Sequence, residues 1–394
     1  MYIDKPIKNS NESIASIDNL CTALDISRVE LDSALSMPMS DRYVTDIVPK
    51  SDGTNRHINK PHNLIRKIQR RINKRIFIKL VDWPSYIFGS VPNTYINDEL
   101  VEAKDYVSCA KQHCECKSLL KLDLKDFFDN IHSDHVYNIF YDFLSYPDDV
   151  SRALSNICCK DSNIVQGALT SSYIASLCLW DVEHNLVKRL QRKKLVYTRL
   201  VDDISISSKS SKYQFDMIID HVKSMLSDKD LPLNNKKTKI TYTSIEPLLV
   251  HGMRVNFKQP RFPADEVRKL RAAVHNIQKL ASQPNYRTTF AYRKDFSKCM
   301  GRINKLKRTQ HEKHQNLVNK LNDIKPLPSR KDLKRCKISF ERLEADFKLK
   351  GATYWYRKRF YILHDRLNVL QRTFDKTAKE IRKKMKLIKP AYDE

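Results

Sequence analysis

The sequence predicts an α+β fold, and three observations carry that prediction. Leu119-Leu-Lys-Leu-Asp123 is a short apolar run with the length of a buried strand. Residues 195–207 read as two alternating segments bent at the paired carboxylates Asp202 and Asp203, the pattern of a β-hairpin. Around them, apolar residues recur at three and four positions, the spacing of helices with one buried side. The resulting order of strand, helix, helix, hairpin, helix and strand implies an antiparallel sheet with helices on one face.

In chain order, residues 1–100 are polar and helical in character, interrupted at Val48-Pro-Lys-Ser-Asp-Gly53. That stretch reads as a strand, a turn at Asp52-Gly53 and a second strand through Arg56 to Ile58. A helix is expected from Asn63 to Val81, basic along one side through Arg66, Lys67, Arg70, Arg71, Lys74 and Arg75. After the Asp123 strand, Ser133 is expected to cap a helix that buries Val136, Ile139, Phe140 and Phe143. One helix is expected from Ser171 to Gln191, and another, after the hairpin, buries Phe215, Ile218, Ile219 and Val222. Beyond Phe257 only helical spacing is found. There Leu363, Leu367, Leu370, Phe374, Thr377 and Ile381 alternate by four and three, a narrow seam for packing one last helix on a partner helix.

Composition narrows the class. The 394 residues exceed the usual single-domain length of about 100–200, so several subdomains are expected. No run of about 18 apolar residues is present and the N-terminus lacks an apolar leader, so a cytoplasmic protein without membrane partners is expected. The nine cysteines, an odd number without a framework spacing, are expected to be free thiols. Net charge is +26, and residues 258–394 hold 37 of the 72 Lys and Arg but 14 of the 46 Asp and Glu, a net +23. A basic C-terminal third suits a phosphate backbone, whose neutralisation releases condensed counterions. The alternative is a solvated basic helical surface without a dedicated partner.

Two acidic sites, one ending a strand and one at the bend of a hairpin, are what two-metal phosphoryl transfer needs. Mg²⁺ takes oxygen ligands, and two such ions activate an attacking hydroxyl and stabilise a leaving pyrophosphate. An Asp-Asp pair at a bend is more often only a solvated turn, but here the neighbouring residues make it specific. Leu122-Asp-Leu-Lys-Asp-Phe-Phe-Asp-Asn-Ile131, Gln166-Gly-Ala-Leu-Thr-Ser171 and Tyr197-Thr-Arg-Leu-Val-Asp-Asp203 stand in the order seen in reverse transcriptases. Val48-Pro-Lys-Ser-Asp-Gly-Thr-Asn-Arg56, Asn234-Asn-Lys-Lys-Thr-Lys-Ile240 and His251-Gly-Met-Arg-Val-Asn256 extend the match over residues 40–256. The chain resembles the bacterial branch of that family: retron and group II intron enzymes and their defence-associated relatives.

The resemblance implies a right-hand polymerase, with N-terminal helices and fingers over 1–100, a palm over 101–256, a helical thumb over 257–325 and a basic helical extension over 326–394. It implies RNA-directed DNA synthesis from dNTPs with two Mg²⁺ ions held by Asp123 and Asp202, the Leu124 carbonyl as a further ligand and Asp203 in support. Lys50 and Arg56 would contact the triphosphate, and Gln166 and Gly167 would line the nucleotide and template pocket. Lys237, or alternatively Lys236, would protonate pyrophosphate. Phe128, five residues after Asp123, would lie where a ribose 2′-hydroxyl goes, which favours DNA over RNA as product. Gly252 lies in the primer-contacting turn. Arg66, Arg70 and Lys74, and Arg357, Lys358 and Arg359 among Tyr354, Trp355, Tyr356, Phe360 and Tyr361, are the expected contacts to template and primer or to a structured noncoding RNA. A role in anti-phage defence, with an effector protein or a higher-order oligomer, rests on the resemblance alone. The alternative from another class is an inactive RNA-binding scaffold or maturase.

The chain also departs from the family pattern. Leu200-Val201 stands where Tyr-Ala is usual before the aspartates. Retron enzymes typically carry Asn-Ala-x-x-His and Val-Thr-Gly, where this chain has Cys109-Ala-Lys-Gln-His113 and Val250-His-Gly252. Cys109, His113, Cys114 and Cys116 are zinc-ligand types, but their spacing is not that of a standard finger.

Overall fold

The computed structural model describes residues 3–49 and 53–391, so Lys50 and most of the expected turn at Asp52-Gly53 lie outside the described residues. The chain divides into two units, residues 1–261 and 262–394. In the first, a sheet has the strand order Lys239–Tyr242, Ser118–Asp123, Asp203–Ser208, Val196–Leu200, Ile87–Phe88. The first four strands pair antiparallel, as the sequence predicts. Ile87–Phe88 adds a parallel edge, Ile87 opposite Arg199.

Register decides what each face carries. Asp203 lies opposite Asp123, Ile204 opposite Leu122, Ser205 opposite Lys121 and Ile206 opposite Leu120. Successive side chains point to opposite faces, so Leu120, Leu122, Ile204, Ile206, Tyr197 and Arg199 share one face. Asp123, Lys121, Asp203, Ser205, Ser207 and Thr198 share the other. The first face belongs to the main core, which also contains Ile174, Leu177, Leu186, Leu190, Ile218 and Val222 from three helices. A short helix, Tyr106–Gln112, meets the second face, where His113 bonds to Thr198 and Ser207.

Several helices differ from expectation. The span 171–191 is two helices, Ser171–Leu177 and Glu183–Arg192, and the break brings Glu183 into the core. The helix from Asn63 leaves α geometry at Ile72, closes in a π-type turn over Asn73–Phe77, and is followed by the strand Val81–Asp82. His132, rather than Ser133, caps the helix Ser133–Asn138: its ring accepts from the Asp134 amide, while the Ser133 amide donates to Ser162 O at 2.7 Å.

The described residues of the second unit are mostly helical, with one apolar cluster around Val274, Tyr292, Ile303 and Leu321 and a second around Phe340, Tyr356, Leu367 and Met385. The leucine seam is interrupted. Leu363, Leu367 and Leu370 lie on Tyr354–Leu370 and Ile381 on Asp375–Met385, and all four are buried in the second cluster. That seam is filled by the chain itself, because the break at 371–374 folds one helix back beside the other. No helix among the described residues is long and apolar enough to cross a membrane.

Candidate active site

Asp123 ends the strand Ser118–Asp123 because the chain turns away beyond it into a 3-10 turn, Phe127–Asn130. Its carboxylate is clamped by a segment preceding the neighbouring strand. Asn234 donates its amide to Asp123 O at 2.8 Å and its side-chain nitrogen to Oδ2 at 3.1 Å. Lys237 Nζ lies 3.2 Å from Oδ1 and 3.0 Å from Oδ2, and this contact raises the lysine's pKa. The Leu124 amide donates to Asp202 O at 3.1 Å. In extended backbone a residue's N–H and C=O point to the same edge, so the Leu124 carbonyl opens on the Asp202 side.

Asp202 sits in the two-residue turn with Val201, whose φ is +59°. A β-branched residue in the left-handed region stores strain, about 1–3 kcal/mol. A hydrogen bond holds it there, and a glycine leaves it room. Arg199 Nη1 donates to Val201 O at 3.2 Å, and Gly89 lies beneath, where an added Cβ would come within 3.2 Å of Leu200 Cγ and 3.4 Å of Val201 Cγ2.

The carboxylates differ electrostatically. Burial, followed by the charges of Asp203 and Asp123, raises the Asp202 carboxyl above the ordinary range. Burial also pushes Asp203 up, but the His251 ring, with Lys121 and Lys237, more than offsets it and the net shift is downward. Among the described residues no three His, Cys, Asp or Glu side chains converge as a ready-made metal cluster. Asp123 is turned to Asn234 and Lys237, and Asp203 to His251.

The remaining expected residues fall into distinct places. Arg56 is exposed on the hairpin formed by Tyr43–Pro49 and Asn55–Pro61. That hairpin rests on Gln166-Gly167: the Asn59 amide donates to Gln166 O at 2.7 Å. Gly167 has φ +107°, and a Cβ there would lie 2.5 Å from Asn59 O. Gly167→Ala is therefore expected to cost at least about 1–3 kcal/mol in urea unfolding, because the hairpin that carries Arg56 must shift to make room. Phe127 is the buried aromatic, whereas Phe128 is partly exposed, edge-on to it at 6.1 Å between centroids. Arg66 and Lys74 are exposed and Arg70 half-buried, but Lys67 pairs with Glu30, and Arg71 and Arg75 with Asp25. Lys67, Arg71 and Arg75 thereby tie the helix to its N-terminal neighbours.

Gly252 follows His251 in a tight turn, at φ +77°. In the C-terminal unit, Arg359 is paired with Asp346 at 2.7 Å, Lys358 lies over the Trp355 ring at 5.1 Å and Arg357 over Tyr361 at 5.7 Å. Tyr356 and Phe360 belong to the core, while Tyr354, Trp355 and Tyr361 are exposed. His113 uses both ring nitrogens on Thr198 and Ser207, and burial pushes its pKa down to about 3 and the Cys109 thiol up to about 12. These two residues are hydrogen-bonded packing groups rather than zinc ligands.

Comparison with known proteins gives the family. Residues 48–270 match the reverse transcriptase (RNA-dependent DNA polymerase) family, so the chain belongs to that family. It is 46% identical over 378 residues to the retron Ec48 reverse transcriptase of Escherichia coli, covering 95% of this chain and 92% of the relative. It is 28% identical to the retron Se72 reverse transcriptase of Salmonella heidelberg, over 98% of this chain and 100% of the relative. Within the family it is a bacterial retron reverse transcriptase, an RNA-directed DNA polymerase. Solved structures that align with it include telomerase from Candida tropicalis with a fragment of telomeric RNA, at TM-score 0.41 and 10% identity over 88% of this chain and 64% of that one. Telomerase from Candida albicans aligns at TM-score 0.39 and 11% identity, over 88% and 67%.

Sequence reasoning left Asn234, His251, Glu183 and Arg199 out of the site. Arg199 offered a signal: it is a charge at an inward position of a strand, and such a charge requires a buried partner.

Proposed function

We propose that Asp123, Asp202 and Asp203 are the metal carboxylates of this RNA-directed DNA polymerase, and that it extends a primer with dNTPs on an RNA template. The observation that carries the reading is the register that sets Asp203 opposite Asp123, with Asp202 at the adjoining turn bonded to Leu124. The donor set is oxygen only, which suits Mg²⁺. Two Mg²⁺ ions held by Asp123, Asp202 and the Leu124 carbonyl, with Asp203 in support, would supply electrostatic stabilisation of the transferring phosphoryl group and activate the 3′-hydroxyl.

The chain's own residues have separate tasks. Asn234 fixes the Asp123 rotamer. Lys237, drawn to the acidic group, is the proton donor for departing pyrophosphate in preference to Lys236. Lys50 and Arg56 bind the triphosphate, and Gln166 and Gly167 shape the nucleotide pocket. In this reading fingers, palm, thumb and basic extension occupy 1–100, 101–256, 257–325 and 326–394.

Phe128 excludes a ribose 2′-hydroxyl. Phe128→Ala is expected to raise rNTP incorporation relative to dNTP by about 10-fold or more; an unchanged preference would remove the steric role.

The partner is a structured noncoding RNA that serves as template, met by Arg66, Arg70, Lys74, Gly252 and the exposed Tyr354, Trp355, Arg357, Lys358 and Tyr361 surface, with Arg359 beside it. Aromatic rings beside cations suit base stacking with phosphate contact. RNA copurifying with the chain should be one dominant species, and DNA made on adding Mg²⁺ and dNTPs should be complementary to part of it. Heterogeneous RNA with unrelated product would overturn this template assignment. Anti-phage defence with an effector protein is the cellular role we infer, and protection of cells carrying the intact locus against a phage panel tests it.

A further inference from the structure

A run of polar contacts leads from Asp203 into the protein along the aspartate face of the sheet. His251 Nδ1 lies 3.6 Å from Asp203 Oδ2, and His251 Nε2 lies 3.3 Å from Cys109 Sγ. Cys109 Sγ donates to Thr198 Oγ1 at 3.2 Å, and His113 joins Thr198 Oγ1 to Ser207 Oγ, 2.7 Å from each. Cys109 and His113 are fully buried, and only 9% of the His251 side chain is exposed. The far end of the run is therefore anchored on two sheet strands, and the near end meets a carboxylate whose side chain is 43% exposed.

The backbone also limits the His251 ring. His251 has φ +46° and Gly252 φ +77°, a two-residue turn joining Leu249–Val250 to Met253–Arg254. Two consecutive left-handed residues define a tight hairpin turn of fixed geometry. With one ring nitrogen facing Asp203 and the other facing sulfur, rotation of the imidazole breaks both contacts.

Cys109 and His251 are 142 residues apart in sequence. They are also the positions where this chain departs from Asn-Ala-x-x-His and Val-Thr-Gly, and the two departures touch. We propose that Cys109 and His251 are a matched pair whose task is to position the Asp203 carboxylate, with His251 as the positioning residue and Cys109 as its backstop. The inference rests on the reading of Asp203 as a metal carboxylate. Neither side chain is assigned a contact with substrate. Groups that orient a metal carboxylate typically change activity or metal affinity by about 10–100-fold when removed.

The test is a double-mutant cycle on the full chain with its RNA: Cys109→Asn, His251→Thr and the two together, with Asp203→Asn as reference. Each single change is expected to lower kcat by about 10-fold or more with the dNTP KM within about twofold of wild type. The double change is expected to recover most of the loss. Urea unfolding without metal gives a readout independent of catalysis, in which the double variant should be more stable than the sum of the single changes predicts. Cys109→Ser and His251→Gln, milder changes in the same cycle, serve if either first variant fails to fold. Additive effects in both readouts, or single variants with wild-type kcat, would overturn the pairing. Wild-type activity in Asp203→Asn would overturn the underlying reading of the site as well, whereas an inactive Asp203→Asn with an additive cycle would sink the pairing alone.

Discussion

Asp123→Asn is expected to slow single-turnover nucleotide addition by about 1,000-fold, about 4 kcal/mol of transition-state stabilisation, while leaving the chain about as stable as wild type. Asparagine preserves the shape and one acceptor oxygen, so the Asn234 clamp on the Asp123 backbone survives. What disappears is the formal charge required to hold a cation. The stability side is a near balance. The substitution removes a negative charge that bears on the partly buried Asp202, but it also loses the ion pair with Lys237, whose side chain is 64% exposed. An exposed pair of that kind contributes only about 0–1 kcal/mol. Rapid-quench incorporation paired with urea unfolding separates the two effects. A rate within about tenfold of wild type would remove Asp123 from the proposed metal site.

The largest expected stability effect is Glu183→Ala, about 3–5 kcal/mol. Arg199 and Glu183 are fully buried, with Arg199 Nε 2.6 Å from Oε1 and Nη2 2.8 Å from Oε2. The other guanidinium hydrogens go to Ala175 O, Ser176 O and Val201 O, and Tyr197 donates its hydroxyl to Glu183. Burial works against the Arg199 charge, and Glu183 more than offsets it. Arginine cannot discharge by losing a proton at accessible pH, so removing Glu183 strands a buried cation and frees the brace on the Val201 turn. Glu183→Leu/Arg199→Met, which removes both charges, should cost less than Glu183→Ala in urea unfolding. If the double change costs more, the pair stabilises the fold in its own right.

What the sequence made legible was local or strongly patterned. The Asp123 strand and the Asp202-Asp203 hairpin show as an apolar run and an alternation, and both form at the expected residues. Ile87–Phe88 is too short to alternate, so the parallel edge was invisible. The basic stripe after Asn63 looked uniform because helical spacing does not say which turn faces a neighbouring acid; Glu30 and Asp25 decide that. The break between Leu177 and Glu183 follows from a tertiary demand, the buried Arg199, that outweighs helical periodicity. Cys109 and His113 looked like metal-ligand types, but their partners Thr198, Ser207 and His251 lie far along the chain. Pairings over such distances leave no periodic trace.

The role of the paired aspartates is decided by extension of a DNA primer on a defined RNA template by the purified chain in Mg²⁺, comparing wild type with Asp202→Asn/Asp203→Asn. Full-length DNA is expected from wild type and none from the double variant, with equal unfolding midpoints and equal RNA retention. DNA synthesis by the double variant at a rate near wild type would contradict that role, because the chemistry would then lie elsewhere in the molecule.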